Sequence, residues 1–563
     1  MIERLPGGVT GDGTPAAPAL QVALAIDPAL VEELQLMAAE PYEVDGRPGT
    51  GTEAAAAYLD RLSAVADVHP VIALPYGDAD ADALIGAGLP DVVTRSLPGT
   101  AEGTAQDPPG TTPTDDGAQA TSADETPAAD GPDAAEPGDD AAADEDTGAA
   151  GEGAGAAILA GALDVEPRTD LFWAAGGSLR PDTVPVLVEG GVETVVLGSG
   201  GLSDGDDAIG RVDSTAAART AVATAAGPLE VLVADATLSG LVGVAEQTPG
   251  GARMAEQRYL AELALLTTQA PDGVEQTVLV APPREVDAGP EGAGAMMVDT
   301  ATLPWLRPAT IAELSQTVPA PAGDLVDPAD GLALDPSGLV DVVAATAIRD
   351  ELAEAVVGDD DIALRSYDAA ISRASSATRR DEPEDFRDVA AALRSTLSRL
   401  GSQVTLLVPA DGTYSLGSSD APLVLTVRND LPMTVEVLLD VRTRGSRGLS
   451  IGEIEPQTLA PGQRSTVQVP TEVRQAGGFA VRAQLTTPGG RPLGDEISLQ
   501  VKSTAYGSIS LLITIGAAAL LGLLFLRRLV NFVLRRRRAA ASDAAVAGPD
   551  GVGLQPPPNR SPV

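Results

Sequence analysis

The first half of the chain alternates short, continuously apolar runs with stretches that read as helices. After the first run, at 22–26, Asp27 and Pro28 supply an N-cap and a proline at the first helical position. Further apolar runs that lead into turn or helix-start residues lie at 71–74, 171–174, 194–197, 231–234 and 277–280. This pattern is typical of parallel strands covered by helices. It predicts a parallel β/α domain over 21–98 and 156–320, with a seventh strand near 309–311. The domain is either a small or distorted barrel or a doubly wound sheet.

Apolar positions then change their period twice. Segments 340–357 and 386–400 have apolar residues three and four apart, which predicts a helical segment over 321–402. From residue 403 the period becomes two, as in strands with one buried face. The strands predicted from it lie at 404–408, 423–427, 435–439, 465–469, 479–485 and 497–501. Short strands at this spacing predict an immunoglobulin-like β-sandwich over 403–503.

One long apolar segment predicts a membrane anchor. Residues 509–526 carry no charge, and at about 1.5 Å per residue they span roughly 27 Å, close to a bilayer core of about 30 Å. We therefore expect a transmembrane helix at 507–527. The basic residues that follow it are Arg527, Arg528, Arg535, Arg536, Arg537 and Arg538. The positive-inside rule places them in the cytoplasm and the bulk of the chain outside the cell, with 528–563 as a basic and then disordered tail.

Two further segments depart from the domain pattern. Residues 1–20 have neither the basic nor the apolar region of a signal peptide, which an exported N-terminal domain needs, so we interpret them as a disordered or truncated start. Residues 99–155 are rich in acids, contain no basic residue and have almost no large apolar side chain. Such a stretch cannot bury enough surface to offset its ordering entropy, and it is predicted to be a disordered insert.

Composition excludes several classes of function. A formal charge of −45 repels nucleic acid, and the absence of cysteine excludes disulfides, thiolate nucleophiles and Cys-ligated zinc. The single histidine, His69, cannot supply the histidine pair of a zinc deacetylase, and no G-x-S-x-G motif accompanies it. We expect His69 on the surface or in a loop. No cofactor and no metal site are predicted.

Polar side chains follow the predicted parallel strands. Because the carboxyl ends of such strands meet at one edge, we expect these residues to share a mouth: Asp27, Asp78, Asp80, Trp173, Ser199, Asp235 and Arg284. Two carboxylates there could serve as acid and base in glycoside hydrolysis, and Trp173 could stack on a sugar. Helix capping is the simpler interpretation of the four aspartates, and core packing that of Trp173 and Trp305. We assign no catalytic residue and treat Asp27, Asp78, Asp80, Trp173, Asp235 and Arg284 as candidate ligand contacts.

Several short motifs together resemble an uncharacterised actinobacterial family of secreted, membrane-anchored cell-envelope proteins. The motifs are Ala25-Ile26-Asp27-Pro28, Leu74-Pro75-Tyr76-Gly77-Asp78-Ala79-Asp80, Trp173 with Gly176-Gly177, the helix at 257–265, Val280-Ala281-Pro282-Pro283-Arg284, and Tyr506-Gly507 before the anchor. The resemblance implies a signal peptide and further N-terminal sequence in other members. It also implies a cell-wall role, because the genes often lie near that of the lipid II flippase. The barrel region is distantly similar to polysaccharide deacetylase-like barrels, which implies a fold and not an activity.

Three functions fit these observations. The chain is either a non-catalytic, single-pass, extracytoplasmic envelope protein that binds a cell-wall glycan or an envelope membrane protein, a carboxylate-dependent glycoside-active enzyme, or a structural spacer. The missing histidine chemistry and the anchor favour the first. The lipid bilayer is the one partner common to all three.

Overall fold

The chain is multidomain, with an α/β part, a group of three helices, a β part and a long C-terminal helix. A computed structural model describes residues 22–44, 46–100, 103–105, 153–211, 217–225, 227–245, 247–269, 276–286, 291–328, 333–358, 362–409, 412–443, 448–474, 477–503 and 508–542. The predicted start at 1–20, most of the acidic insert and the tail beyond residue 542 lie outside the described residues.

The α/β part is built on a mainly parallel sheet. Its strands are β1 (Leu24–Ile26), β4 (Val71–Ala73), β5 (Leu171–Trp173), β6 (Thr194–Gly198), β7 (Arg219–Thr224) and β8 (Gly227–Ala234), and β2 (Glu43–Val44) and β3 (Arg47–Pro48) form a separate hairpin. Strand β1 pairs with β4, and β5, β6 and β8 pair in that order, all in parallel; β7 adds to β8 in antiparallel. A parallel bridge from Ile72 to Arg168 connects the two groups. The result is a half-barrel.

The half-barrel is open, so the small or distorted barrel predicted for this domain is formed only in part. Segment 277–280 contributes one parallel bridge, from Leu279 to Ala234, instead of a full strand. The seventh strand predicted at 309–311 is wrong. Thr310 caps a short helix, because its hydroxyl accepts from the Glu313 N–H at 3.1 Å while the Glu313 carboxylate accepts from the Thr310 N–H at 2.7 Å.

Helices cover this sheet and build two smaller cores beside it. They are α1 (Pro28–Ala39), α2 (Thr52–Ala66), α3 (Ala81–Gly86), α4 (Pro90–Ser96), α5 (Ala154–Leu163), α6 (Val184–Glu189), α7 (Gly205–Ala208), α8 (Ala236–Gly243), α9 (Ala252–Gln269), α10 (Ala293–Thr302) and α11 (Ile311–Leu314). Helices α1, α2 and α5 enclose Val31, Leu62 and Leu159 against β1 and β4. Helices α8, α9 and α10 pack around Tyr259 and Met296.

Three helices connect the α/β part to the β part. They are α12 (Pro336–Ala353), α13 (Ile362–Ala374) and α14 (Pro383–Gly401). Both α12 and α14 begin with a proline, whose missing N–H has no partner to lose in the first turn of a helix. The Phe386 ring is fully buried against Gly338, where an added Cβ would lie 2.5 Å from the ring. A larger residue at 338 would separate α12 from α14.

The β part contains a five-stranded sheet, a three-stranded sheet and a two-stranded pair, which share one hydrophobic core. Its strands are β9 (Val404–Leu407), β10 (Thr413–Leu416), β11 (Leu423–Asn429), β12 (Val435–Thr443), β13 (Leu449–Ile451), β14 (Gln457–Leu459), β15 (Arg464–Val469), β16 (Thr471–Val473), β17 (Gly477–Thr486) and β18 (Pro492–Ser503). One sheet has the order β10-β18-β17-β12-β14, the other β15-β11-β9, and β13 pairs with β16. Alternate residues such as Val427 and Val481 are buried in the shared core. All six predicted strands are confirmed. The strands β13, β14 and β16 are too short to show the period, and β10 does not alternate between buried and exposed residues.

The last element of the described residues is helix α15 (Ser508–Ser542). The helix continues past residue 527, through the arginines. Its segment Leu512–Arg537 has a mean hydropathy of 1.9, and none of it is buried against the rest of the protein. By length and composition α15 is a candidate membrane span.

Candidate functional site at the carboxyl edge of the half-barrel

The candidate residues predicted from the sequence all stand at the carboxyl ends of strands, on an edge that we call the mouth. Asp27 follows β1, Asp78 and Asp80 follow β4, Asp235 follows β8, and Trp173 ends β5. Arg284 follows the bridge residue Leu279. Side-chain contacts join Asp78, Trp173 and Arg284 directly, whereas Asp80 and Asp235 are bound to arginines that the sequence did not single out.

Three of the four predicted carboxylates cap helices. Asp27 caps α1, Asp80 caps α3 and Asp235 caps α8, each accepting hydrogen bonds of 2.9 to 3.1 Å from N–H groups of the first turn. The capping interpretation is therefore confirmed at these positions. It is wrong for Asp78, which lies in a tight turn with φ at +46° and directs its carboxylate to Arg284.

Arg284 connects two strand ends of the mouth. Its Nε donates to Asp78 Oδ2 at 2.7 Å, and its Nη2 donates to Asp78 Oδ1 at 3.0 Å and to the Trp173 carbonyl at 2.8 Å. The guanidinium carbon lies 4.1 Å from the centroid of the Trp173 ring, a cation–π distance. The side chains of Arg284 and Asp78 are 14% and 9% exposed, so this bidentate ion pair is largely shielded from water.

Two further arginines neutralise Asp80 and Asp235. Arg380 donates to Asp80 with Nε at 2.6 Å and Nη2 at 2.7 Å, and its Nη1 donates to the Ala175 carbonyl. Arg211 donates to Asp235, which is fully buried, with Nε at 3.0 Å and Nη2 at 2.8 Å. Sequence reasoning missed both arginines. The signal was indirect: a carboxylate that stays ionised when buried at a strand end needs a cation, but the sequence does not say which of the 36 Lys and Arg residues supplies it.

Asp27 differs from the other carboxylates because it has hydrogen bonds to backbone groups and no ion pair at close range. Its Oδ1 accepts from the Ala29 N–H at 2.9 Å and from the Gly77 N–H at 2.8 Å. Burial raises the pKa of Asp27 to about 7, against the lowering effect of these two donors, and the nearby Asp78 charge adds to the rise. Asp27 can therefore carry a proton near neutral pH.

The turn after β4 is pressed against the helical group. Gly77 has φ at +71°, and a Cβ there would lie 2.9 Å from the backbone of Arg373 on α13. Arg373 Nη2 donates to the Tyr76 hydroxyl at 2.8 Å and to Glu32 at 3.3 Å, and the Tyr76 hydroxyl itself donates to Glu32. Burial raises the pKa of Tyr76, so its hydroxyl stays protonated.

The end of α13 and the turn after it cover the mouth. The Asp80 N–H donates to the Ser375 carbonyl at 2.8 Å, and Ala79 forms an antiparallel bridge with Ser376. Together with Arg380, these contacts place residues 373–380 over the strand ends. The edge at which a β/α fold normally builds its site is here occupied by the protein's own chain.

Little space remains beneath this cover. A cavity of about 10 Å³ lies among Asp78, Asp80, Asp82, Trp173, Arg284 and Arg380. That is room for about one water molecule and is far below the roughly 300–1,000 Å³ of small-molecule sites. A second cavity, a groove of about 580 Å³, is lined by residues of α3 and by Arg180, Leu339, Val340 and Val343.

Other predicted positions take no part in the mouth contacts. His69, expected on the surface or in a loop, lies in the loop before β4 and is 2% exposed. Trp305, expected in the core, is 41% exposed, whereas Trp173 is half-buried. Ser199 is buried in the turn after β6.

Across the described ranges, no group of three or more His, Cys, Asp or Glu side chains is placed to hold a metal ion.

Comparison with solved structures gives matches that cover less than a fifth of the chain. The α2-macroglobulin of Escherichia coli, from domain MG7 to its C-terminus, is 18% identical over 18% of this chain and 16% of its own, with a TM-score of 0.14. The ASH/PapD-like domain 7 of human CEP192 is 10% identical over 19% of this chain and 87% of its own, with a TM-score of 0.15. WR4, an MSP family member of Caenorhabditis elegans, is 9% identical over 19% of this chain and 99% of its own, with a TM-score of 0.14. The chain thus spans about a sixth of the first of these relatives.

The family comparison covers much more of the chain than the solved structures do. No curated protein matches the chain. A model described as a family of unknown function, DUF6049, matches residues 14–547. Since that match covers nearly the whole sequence, the chain belongs to the DUF6049 family.

Proposed function

We propose that this protein is a single-pass, membrane-anchored protein of the cell envelope, with residues 22–503 outside the cytoplasm, and that it binds a partner there without catalysing a reaction. The observation that carries the proposal is α15. Its apolar side chains are exposed along the whole segment Leu512–Arg537, with Leu512 at 68% and Phe525 at 70%. A bare apolar helix of this length is unfavourable in water and suits a bilayer core.

The distribution of charge supports the orientation. Six arginines follow the apolar segment, and Lys502 is the nearest basic residue before it. Basic residues are retained on the cytoplasmic side during insertion, so the proposal places the C-terminus inside and the half-barrel and β part outside. The whole chain has a formal net charge of −45, and all of its acidic residues except Asp543 and Asp550 precede α15.

The finer architecture belongs to the same proposal. Residues 403–503 form an immunoglobulin-like sandwich. Because only residues 504–507 separate β18 from α15, the sandwich lies next to the membrane and holds the α/β part away from it. Residues 21–98 and 156–320 form the half-barrel domain, with the distant similarity to deacetylase-like barrels noted above. Residues 99–155 are its acidic insert, and 321–402 are the helical connection.

The closed mouth supports a non-catalytic role. Asp78, Asp80 and Asp235 are each held by an arginine, and the cavity beside Asp78 and Asp80 accommodates about one water. A retaining or inverting glycosidase needs two carboxyl groups on either side of a bound sugar ring. The partner that we propose, a cell-wall glycan or an envelope membrane protein, therefore binds elsewhere on the extracytoplasmic surface.

One observation favours the second candidate, a carboxylate-dependent glycoside-active enzyme. The pKa of Asp27, raised to about 7 by burial, is that of a carboxyl group able to donate a proton at neutral pH. Its Oδ1 is already shared between two backbone N–H groups, which weakens this candidate.

The test uses the full-length protein in detergent or nanodiscs, presented to cell-wall glycans and to solubilised envelope proteins. We expect saturable binding of one partner class and no turnover of cell-wall polysaccharide. Turnover that Asp27→Asn abolishes, and that the surface substitution Asp182→Asn leaves intact, would establish the enzyme instead. A failure to find saturable binding of any kind would leave the structural spacer as the better account.

A further inference from the structure

Helix α15 is longer than a bilayer crossing requires. It runs from Ser508 to Ser542, 35 residues, or about 52 Å at 1.5 Å per residue. A hydrocarbon core is about 30 Å thick, and the bilayer with its headgroups about 40–45 Å. The helix therefore continues beyond the membrane on the arginine side, and it does so without a break.

The arginines of this extension form two tiers. Arg527 and Arg528 follow the last residue of the charge-free segment, and Arg535 to Arg538 come two turns later, about 12 Å along the axis. Residues 529–534 between the tiers are apolar except for Asn531. If the first tier marks the hydrocarbon edge, the headgroup layer of about 5–7 Å lies between the two tiers.

These arginines lack the partner that the rest of the protein supplies. Residues 504–542 contain no Asp or Glu, and none of the five arginines whose side chains are described in α15 forms an ion pair within the described part of the chain. Elsewhere in the protein, by contrast, Arg211, Arg284 and Arg380 are each bound by a carboxylate. The extension is an exposed cationic surface on a chain of net charge −45.

The second tier faces back toward the bilayer. Helical side chains tilt toward the N-terminus of their helix, and in α15 the N-terminal direction is that of the membrane. Arg536 follows this rule, since its guanidinium carbon lies 5.8 Å from the centroid of the Phe532 ring one turn earlier. The second tier is therefore directed toward the layer of lipid phosphates, and the long side chains of Arg527 and Arg528 can reach the same layer by snorkelling from the hydrocarbon edge.

We infer that residues 527–538 of α15 form a binding surface for the headgroups of anionic phospholipids in the cytoplasmic leaflet. Guanidinium groups bind phosphate oxygens with two parallel hydrogen bonds, which suits this ligand class. The apolar residues between the tiers lie in the headgroup layer, where Phe532 is well placed as an interfacial aromatic. This inference rests on the proposed membrane anchorage.

The experiment uses the full chain in nanodiscs of phosphatidylcholine with a minority of phosphatidylglycerol. Because the protein has no cysteine, Asn531→Cys introduces a single attachment site for a fluorescent donor between the tiers. Energy transfer to headgroup-labelled phosphatidylglycerol is compared with transfer to headgroup-labelled phosphatidylcholine. We expect a preference for the anionic lipid of roughly five-fold or more, which decreases as salt is added.

A fourfold variant with glutamine at 535, 536, 537 and 538 tests the second tier, and its matched control has glutamine at the exposed arginines 47, 61, 442 and 464. The first should lose most of the preference and the control should keep it. Equal transfer to both lipids by the inserted wild-type protein would overturn this inference alone. Extraction of the protein from vesicles of both compositions by alkaline carbonate would overturn the membrane anchorage as well.

Discussion

Arg284 and Asp78 are joined by two hydrogen bonds of 2.7 and 3.0 Å although they lie 206 positions apart in the sequence. The pair ties the turn after β4 to the segment after Leu279 and lies against the Trp173 ring. A carboxylate that a catalytic site would need free is thereby bound in a nearly closed space. This relationship, repeated at Asp80 with Arg380, underlies the non-catalytic account of the mouth.

Replacing Arg284 should destabilise the protein strongly. Arg284→Met leaves the Asp78 carboxylate buried without a cation, for which a loss of about 3–5 kcal/mol is expected. Urea unfolding followed by Trp173 fluorescence, in a Trp305→Phe background, reports on this site. The matched control is Arg180→Met, which breaks an ion pair whose side chains are 40% and 53% exposed and should cost about 1 kcal/mol or less. Equal losses in the two variants would contradict the buried-pair interpretation.

The stability of the protein should contain a term from Asp27 that depends on pH. Its pKa is raised from 3.8 to about 7 on folding, so its contribution is fully present below pH 4 and is lost as pH rises to about 7. Asp27→Asn, which keeps an acceptor for the Ala29 and Gly77 N–H groups, removes this term. The stability of the variant relative to wild type should therefore increase between about pH 4 and 7 and then level off.

The control for that measurement is a carboxyl group whose pKa is lowered on folding, so that its contribution to stability depends on pH in the opposite sense. The Arg180 guanidinium lowers the pKa of Asp182, so the contribution of Asp182 is lost only as pH falls through the acid range. Asp182→Asn should show no change relative to wild type between about pH 5 and 8. A flat difference for Asp27→Asn over the same interval would show that Asp27 is ionised with an ordinary pKa.

The contact between the β4 turn and α13 should tolerate no side chain at residue 77. Gly77→Ala combines a positive φ with a Cβ only 2.9 Å from the Arg373 backbone. Gly88 has a similar φ of +78° but no atom within 4 Å of an added Cβ. Gly88→Ala should cost about 1–2 kcal/mol for the backbone alone, and Gly77→Ala at least 1 kcal/mol more through the clash. If the thermal midpoints of the two variants coincide, α13 does not cover the mouth as described.

The two tryptophans should differ in their access to solvent. Trp305 is 41% exposed, whereas Trp173 is half-buried under the Arg284 guanidinium. In single-tryptophan variants, acrylamide should quench Trp305 emission several-fold more efficiently than Trp173 emission. Arg284→Met should raise the quenching of Trp173 and leave that of Trp305 unchanged. A Trp173 that is quenched as readily as Trp305 in the wild type would mean that the mouth is open.

Local rules found the positions of the candidate site but not their partners. Aspartate is a preferred N-cap residue directly before a proline-initiated helix, so Asp27 could be placed from its neighbours in the sequence alone. Arg211 and Arg380 could not, because the ion pairs they form join residues 24 and 300 positions apart. Their pairing depends on tertiary packing, which no local pattern of charge encodes.

The strand predicted at 309–311 shows how neighbouring residues decide a local structure. A capping box of Thr310 and Glu313 starts a helix at Ile311 instead. His69 does lie in a loop, one of the two predicted alternatives, but it is 2% exposed. Its burial depends on tertiary packing, which the residue type does not encode.

The account depends most on the side of the membrane on which the half-barrel and β part lie. Two variants of this cysteine-free chain test it directly: Ser418→Cys, at an exposed position of the β part, and Ser542→Cys, at the end of α15. Intact cells are treated with a membrane-impermeant maleimide before and after permeabilisation. We predict that position 418 is labelled in intact cells and position 542 only after permeabilisation. Labelling of 542 in intact cells, with 418 protected, would contradict the account.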